Sequence, residues 1–430
     1  MTDYWCEQLW QPTGVRDGVL VSVNADGTIG RLSAVAAPPD DAYRLSGLVF
    51  PGFANAHSHA FHRALRGRTH GAGGTFWTWR QAMYALARRL DPDSYLELAR
   101  AVYAELAVAG YTCVGEFHYL HHAPGGARYN DPNAMAEALR TAAADAGIRL
   151  TLLDTCYLAG GIDMPVSPEQ QRFSDGTVLA WAERVADLRG DETMLVGAAI
   201  HSVRAVPRAD LAAVAVSEVR RPLHVHLSEQ PAENEACQSA YGCSPTELLA
   251  GAGVLSPRTT AVHATHLSTQ DIKLLGSAGV TACLCPTTEA DLADGIGPAR
   301  ELADAGCRIA LGSDQHAVVD PFVEARSIEH GERLRTGRRG RFAPAELGIA
   351  LTSAGNASLG WSDSYADLVA VRPDSVRTAG CAPGETLFAA TAADVHTVVA
   401  RGQVIARDGR HEKLGDVGEL LATAIGGLWE

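Results

Sequence analysis

Pro51-Gly52-Phe53-Ala54-Asn55-Ala56-His57-Ser58-His59-Ala60-Phe61-His62 carries the strongest architectural signal in the chain. The apolar run Leu48-Val49-Phe50 leads into it, and the pair His57-x-His59 lies near its end. In an extended strand, residues two apart point to the same side, so both imidazoles can reach one metal ion. Two ordinary loop histidines would read the same in isolation. What the rest of the chain supplies decides between these readings.

Downstream, short apolar runs alternate with helical patterns. With Leu48–Ala56 the runs are Tyr111–Phe117, Ile148–Asp154, Met194–Ile200, Leu223–Leu227, Thr259–His263, Val280–Cys285 and Arg308–Ser313. Helices are expected between them. Asp91-Pro92 supplies a cap and an N1 proline, Tyr95, Leu98, Val102 and Leu106 share a face, and Gly110 is a C′ stop. Asn133–Ala146 before Gly147 and Leu211–Val219 read the same way. Eight strands interleaved with helices predict an α/β (β/α)8 TIM-type barrel over residues 49–364, with its active site at the C-terminal strand ends. The two flanks, 1–48 and 365–430, are strand-like and broken by turn signals such as Asn24-Ala25-Asp26-Gly27. Neither flank holds enough strands for a stable sheet alone. One small β-sandwich domain built from both chain ends, with a C-terminal helical tail, is therefore expected.

The composition agrees with a soluble enzyme: 430 residues, 47% hydrophobic and 20% charged. A net charge of −14 argues against nucleic acid as a partner, and Arg333–Arg341, lacking interleaved aromatics, reads as a solvated surface segment. No apolar run reaches the roughly 18 residues of a membrane span. The start Met1-Thr2-Asp3-Tyr4-Trp5-Cys6-Glu7 lacks the pattern of a signal peptide. Nine cysteines without a Cys-x-x-Cys pair fit reduced thiols, so a cytoplasmic location is expected. Cys283 and Cys285 are expected to pack in the core.

Polar residues collect where the strands end. The first run ends at His57 and His59, the second at Glu116, His118 and Tyr119, and the fourth at His201, Ser202 and Arg204. The fifth carries His224 and His226 with Glu229 just beyond, the sixth leads to His263 and His266, and the eighth to Asp314. Sixteen histidines distributed at random would not gather so often at one rim. His57, His59, His226 and Asp314 can hold one divalent zinc-like ion with a position open for water. Such an ion lowers the pKa of its water towards about 7. Glu229 is placed to pass protons to a leaving nitrogen, and His263 to steady the nucleophile or the developing charge. His224 and His266 are expected to support the site from behind, and His121 and His122 to decorate a loop. The only lysines are Lys273 and Lys413, neither near the end of the fourth strand, so no lysine is available there to bridge two metals.

These residues resemble the amidohydrolase superfamily and, within it, the formimidoylglutamate deiminases. The resemblance runs from about residue 5 to 410 and rests on His57-Ser58-His59-Ala60-Phe61, Phe76-Trp77-Thr78-Trp79-Arg80, Glu116-Phe117-His118-Tyr119-Leu120-His121-His122, His201-Ser202-Val203-Arg204-Ala205-Val206, His226-Leu227-Ser228-Glu229-Gln230, Cys285-Pro286-Thr287-Thr288-Glu289-Ala290 and Gly312-Ser313-Asp314. It implies one divalent ion, Zn2+ or alternatively Fe2+, on His57, His59, His226 and Asp314, with Glu229, His263 and Asp314 catalytic. It implies that Arg80, Tyr119, His201 and Arg204 bind a small dicarboxylate amidine, hydrolysed to a formyl product and ammonia in histidine degradation, and that the enzyme is a homodimer. Guanidinium forks suit two carboxylates. The chain departs from that pattern at His62, where glutamine is expected, and at Gln315, where serine is expected; both positions should lie near the substrate. Two other readings remain: a deaminase of an aminated heterocycle such as guanine, and a catalytically inactive binding protein.

Overall fold

The computed structural model describes residues 3–71, 73–217 and 221–429. β1 (Asp3–Gln11), β2 (Gly14–Val23), β3 (Ile29–Ala34) and β4 (Tyr43–Pro51) open the chain. The barrel strands follow: β5 (Phe53–Ser58), β6 (Tyr111–His118), β7 (Arg149–Cys156), β8 (Met194–Ile200), β9 (Leu223–Leu227), β10 (Thr259–His263), β11 (Thr281–Leu284) and β12 (Arg308–Leu311). β13 (Leu368–Val371), β14 (Val395–Ala400), β15 (Gln403–Arg407) and β16 (Arg410–His411) come last, before a terminal helix Val417–Trp429.

Strands β5 to β12 form one parallel sheet in sequence order, the topology of a (β/α)8 barrel. The other eight form a mixed sheet in the order β16-β15-β14-β13-β4-β1-β2-β3, so both chain ends meet where β13 pairs with β4. Tyr4, Val21, Leu45, Val49, Leu368 and Val399, from five of those strands, bury one another in a separate apolar core. The run Leu48–Ala56 divides at Gly52: its first half completes the mixed sheet and its second half begins the barrel. A Cβ at Gly52 would lie 2.3 Å from the Thr112 hydroxyl and 2.6 Å from the Asp367 Cβ, so only glycine fits where the chain passes between sheets.

The barrel closes between β5 and the residues after β12. Asp314 N–H donates to His57 O and His59 N–H to Asp314 O, both at 3.0 Å. The Asn55 side chain staples the same seam, donating to Ser313 Oγ at 2.7 Å and accepting from Ser313 N at 3.0 Å. A Cβ on Gly312 would sit 2.7 Å from both the Cβ and the carbonyl oxygen of His57, so glycine permits this approach.

Among the helices, α1 (Phe76–Ala87) contributes to the site, and α2 (Pro92–Ala109) and α3 (Ala134–Ala146) follow it along the chain. α2 has the expected ends: Asp91 accepts from Ser94 N in a capping box, and Gly110 stops the helix at φ 106°. The expected helix Leu211–Val219 is present over Leu211–Ser217, and Val219 lies outside the described residues. Segment 353–361 fills the N-terminal mouth of the barrel, Leu359 packing with Ala54 and Cys113. Buried Arg149 joins the two sheets by pairing with Asp367 and lying over the rings of Trp361 and Tyr365. No described helix is long and apolar enough to cross a membrane.

Candidate metal centre and active site

At the closed seam, His57, His59, His226 and Asp314 turn their polar atoms to one point. Asp314 Oδ1 lies 3.2 Å from His57 Nε2 and 3.3 Å from His59 Nε2, and His57 Nε2 lies 3.1 Å from His226 Nε2. Ligands about 2.0 Å from a tetrahedral metal are about 3.3 Å apart, so this spacing suits a first-row divalent ion. The protonation pattern agrees. His59 Nδ1 faces the Phe117 carbonyl at 2.9 Å, which can only accept, so Nδ1 carries the proton and Nε2 presents a lone pair. Burial holds the His57, His59 and His226 pKa values down, leaving the rings neutral. Burial opposes ionisation of Asp314, but the surrounding histidines outweigh it and keep the carboxylate charged. A lone pair aimed at a carboxylate oxygen needs a cation between them. The residues therefore fit a metal.

A cavity opens directly above. Its wall is formed by His59, His226, Glu229, His263 and Asp314 on the barrel side, and by His62, Arg80, Tyr119, His201 and Arg204 around the rim, with Phe76, Trp79, Met83 and Leu292 between them. Every expected site residue except His57 lines it, and His57 lies buried immediately behind. A wider cleft of about 520 Å³ between the mixed sheet and the barrel, lined by Trp10, Tyr365 and Asp363 among others, contains no histidine.

His263 sits between two carboxyls: Nε2 is 3.6 Å from Glu229 Oε1 and Nδ1 is 3.5 Å from Glu289 Oε1. Burial opposes its protonation, but the negative charge of Glu229, Glu289 and Asp314 raises its pKa well above the usual value. Burial likewise raises Glu229, with His263 acting in the opposite sense. Ser228, His263 and Asp314 adopt positive φ of 49°, 67° and 43°, conformations that non-glycine residues hold only where surrounding structure imposes them.

At the rim, Arg204 Nε donates to Glu233 Oε2 at 2.7 Å, while Glu233 Oε1 accepts from Ser228 N at 2.9 Å. One glutamate thus fixes both the guanidinium and the loop leading to Glu229. The Arg80 guanidinium lies over the rings of Trp77 and Tyr84, 5.6 and 5.2 Å from their centroids. His62 Nε2 lies 2.9 Å from the Tyr119 hydroxyl, and its Nδ1 is buried without a hydrogen-bond partner among the described residues.

Several expectations need correction. Gln315 does not reach the cavity; its amide donates to Asp291 Oδ2 at 2.8 Å. His121 and His122 are buried rather than exposed on a loop: His121 Nε2 donates to Thr155 O at 2.9 Å and His122 Nε2 lies 3.0 Å from Asp175 Oδ1. His118, His121 and Asp154 converge closely enough for a metal, but Asp154 already accepts from Arg184 Nη1 and Nη2 and from Trp181 Nε1, each at 2.9 Å. A guanidinium holds that place. The Arg333–Arg341 segment is at the surface as expected, with Arg338 and Arg339 exposed, and glutamates hold part of it: Arg333 pairs with Glu329, and Arg335 and Arg341 with Glu332. His224 supports the site from below as expected, Nε2 donating to Ser358 O at 3.0 Å. Cys283 and Cys285 pack in the core with Ala56, Val262 and Ala310.

Glu289 and Asp294 join the site without a signal in the sequence. Glu289 lies in the run Cys285–Ala290, and only the fold turns it towards His263. A buried network is also new: Glu116 accepts from Ser58 Oγ and Ala60 N, each at 2.7 Å, and Ser58 Oγ lies 3.0 Å from His316 Nε2. It braces the turn that carries His57, His59 and His62.

Residues 48–405 match the profile of the amidohydrolase family. A formimidoylglutamate deiminase from Pseudomonas aeruginosa is 35% identical over 437 residues, 96% of each chain. An 8-oxoguanine deaminase from the same organism is 32% identical over 356 residues, covering 77% of this chain and 76% of its own. The crystal structure of an amidohydrolase from Brucella melitensis superposes with a TM-score of 0.93 at 30% identity, covering all of both chains.

Proposed function

We propose that this chain, which belongs to the amidohydrolase family and is a hydrolase acting on C–N bonds, hydrolyses N-formimino-L-glutamate to N-formyl-L-glutamate and ammonia. The observation that carries the reading is one cavity in which two arginines, Arg80 and Arg204, face the cluster of His59, His226, Glu229, His263 and Asp314. A dicarboxylate amidine gives both guanidiniums a task while its amidine carbon faces the cluster. Glu233 already engages Arg204 Nε, which leaves the terminal nitrogens for a substrate carboxylate.

One Zn2+ on His57, His59, His226 and Asp314 would supply the Lewis acidity that makes a water nucleophilic near neutral pH. The side chains manage the protons. Glu229, ionised beside the protonated His263, takes a proton from the attacking water as its oxygen bonds to the formimino carbon, while the His263 imidazolium steadies the negative charge that develops on that oxygen. Glu229 passes that proton to the imino nitrogen; Asp314 then helps to take the second proton from the same oxygen, and it reaches the departing amine through Glu229. The C–N bond breaks, ammonia leaves and the carbon keeps the oxygen as a formyl group. Tyr119, His201 and His62 shape the opposite wall and orient the substrate chain.

Deamination of an aminated heterocycle is the second reading. The similarity to an 8-oxoguanine deaminase and the aromatic wall of Phe76, Trp79 and Tyr119 favour it. The test is release of ammonia with formation of N-formyl-L-glutamate by zinc-loaded protein. Absence of both products, with metal analysis confirming a full site, would sink the proposal.

A further inference from the structure

Asp294 lies outside the cavity wall, just beyond Leu292, and is only 2% exposed. Its backbone N–H donates to Glu289 O at 2.9 Å, which places it behind the catalytic cluster. The Gln230 amide donates to Asp294 Oδ1, while Oδ2 is buried with no hydrogen-bond partner among the described residues. One oxygen of Asp294, one of Glu229 and one nitrogen of His263 all lie within 4.8 Å of one another. That separation is the reach of one bridging water.

Two buried carboxyls this close do not both stay ionised. Glu229 has His263 Nε2 at 3.6 Å to balance its charge, whereas the only side chain bonded to Asp294 among the described residues is the neutral Gln230 amide. The proton therefore belongs on Asp294 Oδ2, the oxygen without a donor. We propose that Asp294 is a positioning residue: as the neutral acid it donates through one bridging water to the Glu229 carboxylate and fixes the orientation in which Glu229 serves the cavity. The claim rests on Glu229 being the proton carrier of the proposed reaction. Electrostatics agree. Burial first, then the charges of Glu229, Glu289 and Asp314, against His263, push the Asp294 carboxyl up to about 9.

The arrangement separates a positioning acid from one that relays protons. In Asp294→Asn the amide oxygen still accepts from Gln230 and the amide nitrogen still donates to the water that bridges to Glu229. The test measures kcat, KM, metal content and melting temperature for wild type, Asp294→Asn and Asp294→Ala. In Asp294→Ala kcat falls about 10- to 100-fold with KM and metal content unchanged, because only the orientation of Glu229 is lost. Asp294→Asn stays within about threefold of wild type, because the donated hydrogen bond is kept. Gln230→Leu, which removes only the donor to Oδ1, lowers kcat by about 3- to 10-fold and serves if the alanine variant does not fold. Wild-type kcat in Asp294→Ala, or a loss in Asp294→Asn as deep as in Asp294→Ala, overturns the inference. A wild type that releases ammonia only from an aminated heterocycle overturns the substrate reading alone, and the same variants are then compared on that heterocycle.

Discussion

Glu229 lines the cavity without joining the four metal-binding side chains, and that separates its two measurable effects. Glu229→Gln keeps the shape and removes the proton carrier, so kcat should fall by about 10²- to 10⁴-fold while metal content stays at wild-type level. Ammonia-release kinetics beside metal analysis check this; a parallel loss of metal would place Glu229 among the ligands instead. At this scale the sequence was informative where a residue ends a strand. His57, His59, His226, His263 and Asp314 stand out because a strand end fixes their direction. Asp294 and Glu289 do not, because each comes from a segment whose path is set by packing, and no local period reports it.

The element that matters most is the seam between β5 and the turn after β12, since it brings His57 and His59 to Asp314. Gly312→Ala would drive a Cβ into backbone and side-chain atoms of His57 at 2.7 Å. Overpacking of this kind costs about 1–3 kcal/mol, and here the strain falls on the metal-binding residues. The variant should melt lower and retain less metal, measured by thermal unfolding and metal analysis. Normal metal content would show that the seam can widen without disturbing the ligands. Strands and the α2 helix were legible to within a few residues, because apolar runs, caps and stop glycines are local signals. The division of Leu48–Ala56 was not. One apolar run serves two sheets, and the evidence for the break lies in Thr112 and Asp367, far along the chain.

Across the whole molecule, buried charge pairs couple the fold to pH. Burial would raise Asp154, but Arg184 outweighs it and, with help from His121, lowers the carboxyl to about 2 from an ordinary 3.8. A carboxyl depressed in the folded state stabilises fully above its unfolded pKa and loses that contribution as pH falls through the folded value. Asp154 accordingly contributes on the order of 2 kcal/mol at neutral pH, lost between about pH 4 and pH 2. Asp154→Asn should lower the melting temperature at pH 7 and flatten its decline through that window. An unchanged acid profile would mean that Asp175, the other partner of Arg184, carries the effect. The two-sheet architecture with a composite terminal sheet was foreseeable from where strand-like texture returns in the chain. The burial of His121 and His122 was not, because it depends on Thr155 and Asp175 from other segments.

The central claim, a hydrolase shaped for an amidine bearing two carboxylates, is tested most directly by kcat/KM for ammonia release from N-formimino-L-glutamate and from an aminated purine, on wild type and on Arg80→Met. The account predicts that wild type prefers N-formimino-L-glutamate. It also predicts that Arg80→Met loses about 10- to 100-fold on that substrate alone, the worth of a hydrogen bond to a charged group. Equal losses on both substrates, or a wild type that prefers the purine, would contradict it.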